Sequence, residues 1–187
     1  MRLRLGGAHN VRNSLLALAA GCYLGFDFEK LAAGLRDFKG VKRRMDRLGS
    51  AAGVDFVDDY GHHPTEVRAT LEAARGLFPG RRLVVLFQPH RYSRTSLLYK
   101  EFGRAFGGAD RLYVAPVYAA GEQPIPGVDA GLVLRSLARN GVRASAFGGP
   151  LETLKELKAG DVFLTLGAGD VWKLGEEIRM KLEMLGA

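Results

Sequence analysis

The amino-acid sequence predicts an α/β fold: a doubly wound, mostly parallel sheet with helices on both faces, preceded by a short helical segment. From residue 46 onward, apolar stretches of strand length alternate with helical stretches, the order that produces right-handed strand–helix–strand units. The stretch 83–87 is apolar at every position rather than at every second one, as in strands that are buried on both faces.

Two helices are predicted before the sheet begins. Residues 10–24 are rich in Ala and Leu and precede a glycine, a residue that commonly follows a helix. Asp27 is a suitable N-cap for a second helix over residues 28–38. A basic connector follows, and we place a domain boundary there, which divides the chain into residues 1–44 and residues 45–187.

Five strands are predicted from apolar stretches that end in turn-forming residues: 54–58, 83–88, 112–117, 142–147 and 162–166. A helix is predicted after each strand: 64–78, 93–106, 130–139, 151–158 and 171–185. Because a helix follows each strand, the strands should run parallel, and ligands should bind beyond their carboxyl ends.

The composition indicates a globular protein that binds anions. The chain has 187 residues, of which 47% are hydrophobic and 25% are charged, an ordinary composition for a domain with one core. The net charge of +7 favours a nucleotide, phosphate, carboxylate or nucleic acid as partner. Because the basic residues are scattered and not interleaved with aromatic residues, nucleic-acid binding is the weakest of these hypotheses.

A cytoplasmic location is expected from two features of the sequence. Every apolar stretch falls short of the roughly 20 residues needed to span a membrane, so no membrane partner is expected. Cys22 is the only cysteine, which excludes an internal disulfide and fits a reducing compartment.

The first candidate site follows the strand predicted at 54–58. Asp59, Tyr60, His62 and His63 place a carboxylate, a phenol and two imidazoles where a ligand is expected to bind. Neighbouring histidines point to opposite faces of an extended chain, so no metal site is predicted here. Asp59 suits ribose hydroxyls or the orientation of a cation. The alternative is a solvated loop whose side chains cap the next helix.

The second candidate site follows the strand predicted at 83–88. Arg91 and Arg94 lie at the positive start of a predicted helix, with His90 beside them. Two guanidinium groups can bind a carboxylate or phosphate bidentately, so this segment predicts an anion clamp. The alternative is a solvated basic helix start.

Two glycine-containing segments are more ambiguous. In 6–13, Asn10 and Asn13 share a helix face and could bind an adenine edge or a backbone strand, although Asn10 could equally be an N-cap. The Gly-Ala-Gly of 167–169 partly matches a dinucleotide fingerprint, but a tight strand-to-helix turn explains it as well. The sequence contains no phosphate-binding P-loop motif, so it has no evident means of gripping ATP phosphates.

Five motifs in one order resemble the Mur ligases of bacterial cell-wall synthesis over residues 3–173. They are Gly-x-His-Asn-Val-x-Asn, Phe-Lys-Gly-Val-Lys-Arg-Arg, Asp-Asp-Tyr-Gly-His-His-Pro-Thr-Glu, Phe-Gln-Pro-His-Arg-Tyr-Ser-Arg-Thr and Gly-Glu-Gln-Pro-Ile-Pro-Gly-Val. That family has a UDP-binding domain, a central ATPase domain and a C-terminal Rossmann-like domain. The resemblance implies that residues 1–44 are the end of the central domain and residues 45–187 the Rossmann-like domain. The UDP-binding domain, the P-loop and the magnesium-binding carboxylates are missing from this chain.

The resemblance also implies an activity. The complete enzyme would join L-alanine to UDP-N-acetylmuramate with ATP and magnesium, through an acyl phosphate, and this chain alone would be inactive. The amino acid would be bound by Tyr60, His62, His90, Arg91 and Arg94, with His62 and His90 as the catalytic pair. ATP would be contacted by His9, Asn10, Asn13, Arg44 and Asp59. The alternatives are a related ligase that recycles murein tripeptide, and a free-standing nucleotide- or anion-binding module.

Overall fold

The structure is a computed structural model that describes residue 3, residues 7–38 and residues 40–186. The chain divides into two compact units, Met1–Lys42 and Arg43–Ala187. The assignment of the first unit to the end of an ATP-binding domain stays a prediction.

The first unit contains two helices, α1 (Ala8–Tyr23) and α2 (Phe28–Asp37). Asp27 caps α2, because its side chain accepts a hydrogen bond from the backbone N–H of Lys30 at 3.0 Å. Gly21 faces Leu31 so closely that a Cβ atom there would lie 2.6 Å from a Leu31 methyl group. A glycine is therefore what allows the two helices to approach each other.

The second unit alternates strands and helices. Its strands are β1 (Asp46–Ala51), β2 (Val54–Asp59), β3 (Leu83–Phe87), β4 (Arg111–Val114), β5 (Ala144–Ala146) and β6 (Val162–Leu166). Its helices are α3 (Pro64–Leu77), α4 (Tyr92–Phe102), α5 (Ala130–Arg139), α6 (Pro150–Glu156) and α7 (Val171–Gly186).

The six strands form one sheet in the order β1-β2-β6-β3-β4-β5. All neighbours are parallel except β1 and β2, which are antiparallel. Strand β6 returns to the centre of the sheet between β2 and β3, so the winding direction of the chain reverses there. The last residues of these three strands, Asp59, Leu166 and Phe87, are in register. The loops that follow them therefore start at the same level, where doubly wound sheets bind their ligands.

Both faces of the sheet are covered by helices. In β3, Leu83, Val85 and Phe87 face a cluster that includes side chains of α3, α4 and α5. Val84 and Leu86 face a second cluster, which includes side chains of α6 and α7. Because alternate residues of a strand point to opposite faces, a strand covered on both sides must be apolar throughout. The fold class predicted from the sequence is confirmed.

The structure differs from the prediction mainly at its edge. Strand β1 was not predicted, and β4, β5 and α4 are shorter than expected. Helix α4 ends before Gly103, where an added Cβ atom would lie 2.8 Å from the backbone oxygen of Ser136. Glycine at position 103 therefore lets the end of α4 lie close to α5. In the described part of the chain, no helix is long and apolar enough to cross a membrane.

Candidate functional site

The loop after β2 is held by the carboxylate of Asp59. One oxygen accepts hydrogen bonds from the backbone N–H of Gly61 at 2.8 Å and the hydroxyl of Thr70 at 3.0 Å. The other oxygen accepts the N–H of Met45 at 2.9 Å, and Asp59 is only 3% exposed. Asp59 therefore holds the loop after β2 in place. Burial and three internal donors thus occupy the carboxylate, and its expected role as an acceptor for ribose hydroxyls or as an orienter of a cation stays a prediction.

His62 has a defined hydrogen-bonding direction. Its Nδ1 lies 3.0 Å from the carbonyl oxygen of Tyr60 and 3.6 Å from a carboxylate oxygen of Glu66. A carbonyl oxygen can only accept a hydrogen bond, so Nδ1 must carry the proton in this contact. In the neutral ring the lone pair is then on Nε2, which makes that nitrogen the basic one.

Helix α3 begins directly after this loop with a capping box. The backbone N–H groups of His62 and His63 donate to Glu66 at 3.0 and 3.1 Å, and His63 Nδ1 accepts the N–H of Thr65 at 3.3 Å. Burial alone would raise the pKa of Glu66, but the hydrogen bond from His62 and the nearby positive charges outweigh it and lower that pKa. The helix-capping role weighed for this segment is thus present, and His63 and Glu66 carry it.

The Nδ1 atom of His90 contacts a hydrogen-bond donor, whereas that of His62 contacts an acceptor. Nη1 of Arg94 lies 3.2 Å from His90 Nδ1, and a guanidinium group can only donate. Nδ1 is therefore the acceptor, and the neutral ring carries its proton on Nε2. Burial lowers the pKa of His90, and the charges of Arg94, His62 and Arg91 lower it further. The lowered pKa favours the neutral ring, in which Nε2–H is a hydrogen-bond donor.

The start of α4 provides the positive end of the site. Arg91 is the N-cap residue, with φ 68°, and its side chain makes no capping hydrogen bond. The missing cap is supplied by Glu122 from the loop after β4, which accepts the N–H of Ser93 at 3.0 Å and its hydroxyl at 2.6 Å. Arg91 is exposed and Arg94 is half-buried. Two guanidinium groups near a helix N-terminus would suit an anionic ligand, so the anion clamp stays a prediction.

The two candidate loops meet at the carboxyl edge of the sheet. The ring centroids of Tyr60 and His62 are 5.3 Å apart, and those of His62 and His90 are 5.7 Å apart. The structure thus brings Tyr60, His62, His90 and Arg94 into one continuous row, with Arg91 next in sequence to His90. The roles assigned to them from the resemblance stay predictions.

The residues expected to contact ATP belong to both units, and their role in binding ATP stays a prediction. Asn10 is half-buried and Asn13 is exposed on α1 of the first unit, and the side chain of His9 lies outside the described residues. Arg44 belongs to the second unit. Its guanidinium lies 5.6 Å from the ring centre of Tyr60 and 3.9 Å from Glu66.

Sequence reasoning missed Arg43. Its Nε donates to buried Asp58 at 2.9 Å, and its Nη2 donates to the carbonyl of Gly167 at 2.6 Å. Its guanidinium also lies 5.0 Å from the ring centre of Tyr60. Arg43 therefore ties the loops after β2 and β6 together. Its only signal in the sequence was its position in the basic connector, which does not distinguish it from its neighbours.

Gln88 and Tyr118 were also missed. The side chain of Gln88 donates to Asp170 at 3.0 Å and accepts the first N–H of α7, from Val171, at 3.2 Å. Tyr118 stacks on His90 from the loop after β4. Gln88 ends the strand predicted at 83–88 and Tyr118 follows the strand predicted at 112–117, so the rule that ligands bind at carboxyl ends could have found them. No group of three metal-ligating side chains occurs among residues 7–38 and 40–186.

Residues 43–169 match the family described as Mur ligase, glutamate ligase domain. The chain belongs to the Mur ligase family. Two similar curated proteins are the UDP-N-acetylmuramate–L-alanine ligases of Endomicrobium trichonymphae and Desulfosudis oleivorans. They are 52% identical over 176 residues and 50% identical over 181 residues, and each match covers 94% of this chain. These matches cover only 39% and 40% of the two relatives, so the chain spans about two fifths of their length.

Solved structures agree with this family. The UDP-N-acetylmuramate–alanine ligase of Thermotoga maritima is 29% identical, with a TM-score of 0.80, and covers 98% of this chain and 40% of that one. A murein peptide ligase of Psychrobacter arcticus has a TM-score of 0.71 at 24% identity over 98% of this chain and 38% of that one, a likeness in fold alone.

Proposed function

We propose that this chain is the amino-acid-binding part of an ATP-dependent ligase that joins L-alanine to UDP-N-acetylmuramate in peptidoglycan synthesis. The observation that carries the proposal is the row of His62, His90 and Arg94 beside the start of α4, in a chain about 50% identical to ligases named for that reaction. The alternative murein tripeptide ligase has a weaker basis, because its similarity is in fold alone.

The geometry suits the amino acid's carboxylate. Arg91 and Arg94 offer positive charge and guanidinium N–H donors, and His90 adds a neutral donor through Nε2. Holding the carboxylate at one end leaves the amino group of L-alanine free to point toward the reacting carbon. Fixing both reactants in this way removes much of the entropic barrier to their reaction.

The chemical step needs a base, and His62 fits that role. Because its Nδ1 donates to the carbonyl of Tyr60, its Nε2 can accept a proton from the amino group of L-alanine. The neutral amine then attacks the acyl carbon and a C–N bond forms. Phosphate leaves with the electrons of its C–O bond and takes up the second proton that the attacking nitrogen loses. His62 and His90 thus have different roles, as proton acceptor and as donor to the substrate.

ATP and magnesium belong to the complete enzyme in this proposal. Arg44 and the asparagine pair on α1 would contact ATP, and Arg44 already lies near Tyr60. The described part of the chain has no cluster of side chains that fits a metal ion, so magnesium would be held by other domains. We expect the chain alone to release no ADP from ATP, since the sequence lacks a P-loop.

A chimeric enzyme tests the proposal. The chain would replace the matching segment of the Endomicrobium trichonymphae ligase, and phosphate release would be measured with ATP and UDP-N-acetylmuramate. We expect release to require L-alanine. Arg94→Ala should raise the KM for L-alanine roughly 10- to 100-fold, the value of a charge-assisted hydrogen bond, and leave the KM for ATP unchanged.

Arg104→Ala is the matched control, because Arg104 is exposed in the turn after α4, away from the site. It should leave both KM values unchanged. Phosphate release that does not depend on L-alanine, or an unchanged KM in Arg94→Ala, would contradict the proposal and favour a different anionic ligand for the site.

A further inference from the structure

Tyr118 lies against the face of His90. The two rings are almost parallel, with an interplanar angle of 14° and a centroid distance of 5.6 Å. The His62 ring also contacts His90, with a centroid distance of 5.7 Å and a tilt of 49°. The imidazole of His90 therefore has an aromatic neighbour on each of two loops, and Tyr118 supplies the parallel contact.

The backbone holds this contact in place. The N–H of Tyr118 donates to the carbonyl of Pro89 at 2.8 Å, and the N–H of Arg91 donates to the carbonyl of Tyr118 at 2.8 Å. These two bonds form an isolated parallel bridge between His90 and Tyr118. These bonds hold the loop after β4 beside the loop after β3 at His90, the residue whose ring Tyr118 contacts.

Gly169 supports the Tyr118 side chain from the turn after β6. A Cβ atom at Gly169 would overlap the side-chain oxygen of Gln88, and it would lie 2.6 Å from Cγ and 2.9 Å from Cβ of Tyr118, distances that real Cβ atoms essentially never show. Only glycine lets the tyrosine ring lie this close to the turn. This explains the second glycine of the Gly-Ala-Gly segment by packing rather than by nucleotide binding.

We propose that Tyr118 is a positioning residue of the amino-acid site and that it acts through His90, by holding the imidazole in the orientation that pairs Nδ1 with Arg94. The expected effect of Tyr118 on L-alanine binding rests on the proposed function. Rotation about the last side-chain bond of histidine is broad and nearly two-fold, so a hydrogen bond alone fixes the ring poorly. A parallel aromatic contact fixes the plane of the ring, and within that plane the hydrogen bond from Arg94 selects the orientation in which Nδ1 accepts and the Nε2 proton points away from Arg94.

The same loop is tied a second time, four residues further on. Glu122 accepts both the N–H and the hydroxyl of Ser93 at the start of α4. Tyr118 and Glu122 therefore connect one loop to both ends of the segment that carries His90 and Arg91. Two attachments of this kind suit a loop that holds the segment with His90 and Arg91 in a fixed geometry.

Imidazole nitrogen NMR of the 187-residue chain tests the proposal. A His90→Gln variant would assign the His90 signals. In the unmodified chain, at a pH where the ring is neutral, His90 should show one protonated nitrogen and one unprotonated nitrogen. Tyr118→Phe keeps the ring and should keep this pattern. Tyr118→Leu fills the space without a planar ring, and the two nitrogen signals should move toward each other as both tautomers become populated.

L-alanine titrations of the same samples give the functional readout. Tyr118→Leu should weaken binding about three- to tenfold, the range of a stacked aromatic pair, and Tyr118→Phe should restore it. Tyr99→Leu, which replaces a tyrosine of α4 instead, should change neither readout. If Tyr118→Leu fails to fold, Gly169→Ala, which displaces the ring, takes its place.

The results separate the two proposals. An unchanged single tautomer in Tyr118→Leu or Gly169→Ala would overturn the positioning role. If the tautomer pattern changes as expected while L-alanine perturbs no signal of the unmodified chain, the positioning of His90 stands and the proposed function fails.

Discussion

At the residue scale, the direction of single hydrogen bonds decides what each histidine can do. His62 and His90 have the same chemistry in the sequence, yet one faces a carbonyl oxygen and the other a guanidinium group. The first contact leaves Nε2 basic, and the second leaves Nε2 protonated. His62 can thus accept a proton and His90 can donate a hydrogen bond, because the two rings have different hydrogen-bonding partners.

Arg43 has the largest predicted effect on stability among the residues of the site. It neutralises Asp58, which is 1% exposed and whose pKa is raised by burial even though Thr165 and Arg43 oppose that shift. Arg43→Ala would leave a buried carboxylate without its cation. We expect the free energy of unfolding to fall by about 3 kcal/mol, measured by urea denaturation.

Arg104→Ala provides the comparison, since it removes an exposed guanidinium with similar loss of charge. A change of less than about 0.5 kcal/mol is expected there. An equal effect of the two substitutions would show that Arg43 does not have the linking role seen in the structure.

The sequence predicted part of the site and missed the rest for a physical reason. His90, Arg91 and Arg94 stand in one segment, so their proximity follows from chain order and from the helix that they begin. Arg43, Gln88 and Tyr118 act through partners far along the chain, such as Gly167 and Asp170. Those contacts depend on strand order, and the insertion of β6 between β2 and β3 could not be read from local pattern.

At the element scale, the start of α3 couples capping to the site. Glu66 accepts the backbone N–H groups of His62 and His63, and it lies 3.6 Å from the His62 ring. The carboxylate of Glu66 therefore caps the helix and lies next to His62, the proposed base.

Glu66→Ala should cost about 1 kcal/mol of folding free energy, the usual value of a lost cap. Glu72→Ala, at an exposed position of the same helix, is the matched control and should change stability little. Urea denaturation measures both. If the two variants unfold at the same urea concentration, the capping box contributes nothing measurable.

Strand β1 could not be predicted from the pattern of apolar and polar residues. Its sequence, Asp-Arg-Leu-Gly-Ser-Ala, lacks a clear alternation of apolar and polar residues, and its register with β2 shifts between Arg47 and Gly49. An edge strand needs only one covered face, and a bulge interrupts even that periodicity. The central strands were predictable because burial on both faces leaves a continuous apolar stretch.

At the scale of the whole molecule, buried and paired carboxylates should make stability depend on pH. Hydrogen bonds from Ser50 and Arg81 lower the pKa of Asp55. Burial would raise the pKa of Asp110, but hydrogen bonds from Leu83 and Arg75 outweigh it and lower that pKa. A carboxylate whose folded-state pKa is lowered stabilises the protein above the ordinary value of about 4, and this contribution is lost as the pH falls below it.

Thermal melting between pH 7 and pH 3 should therefore show a falling midpoint below about pH 4. Asp58 acts in the opposite direction, because its raised pKa favours the folded state at low pH. Asp110→Asn should flatten the pH dependence, whereas Asp58→Asn should not. A melting midpoint that stays constant down to pH 3 would show that these pairs do not differ between the folded and unfolded states.

The central claim is that the guanidinium groups beside His90 bind the carboxylate of an amino acid. The most direct measurement follows the side-chain N–H resonances of Arg91 and Arg94 by NMR while L-alanine is added to the chain. Our account predicts that L-alanine shifts both resonances and that L-alaninamide, which lacks the carboxylate, shifts neither. Equal shifts with the two ligands, or shifts confined to other arginines, would contradict it.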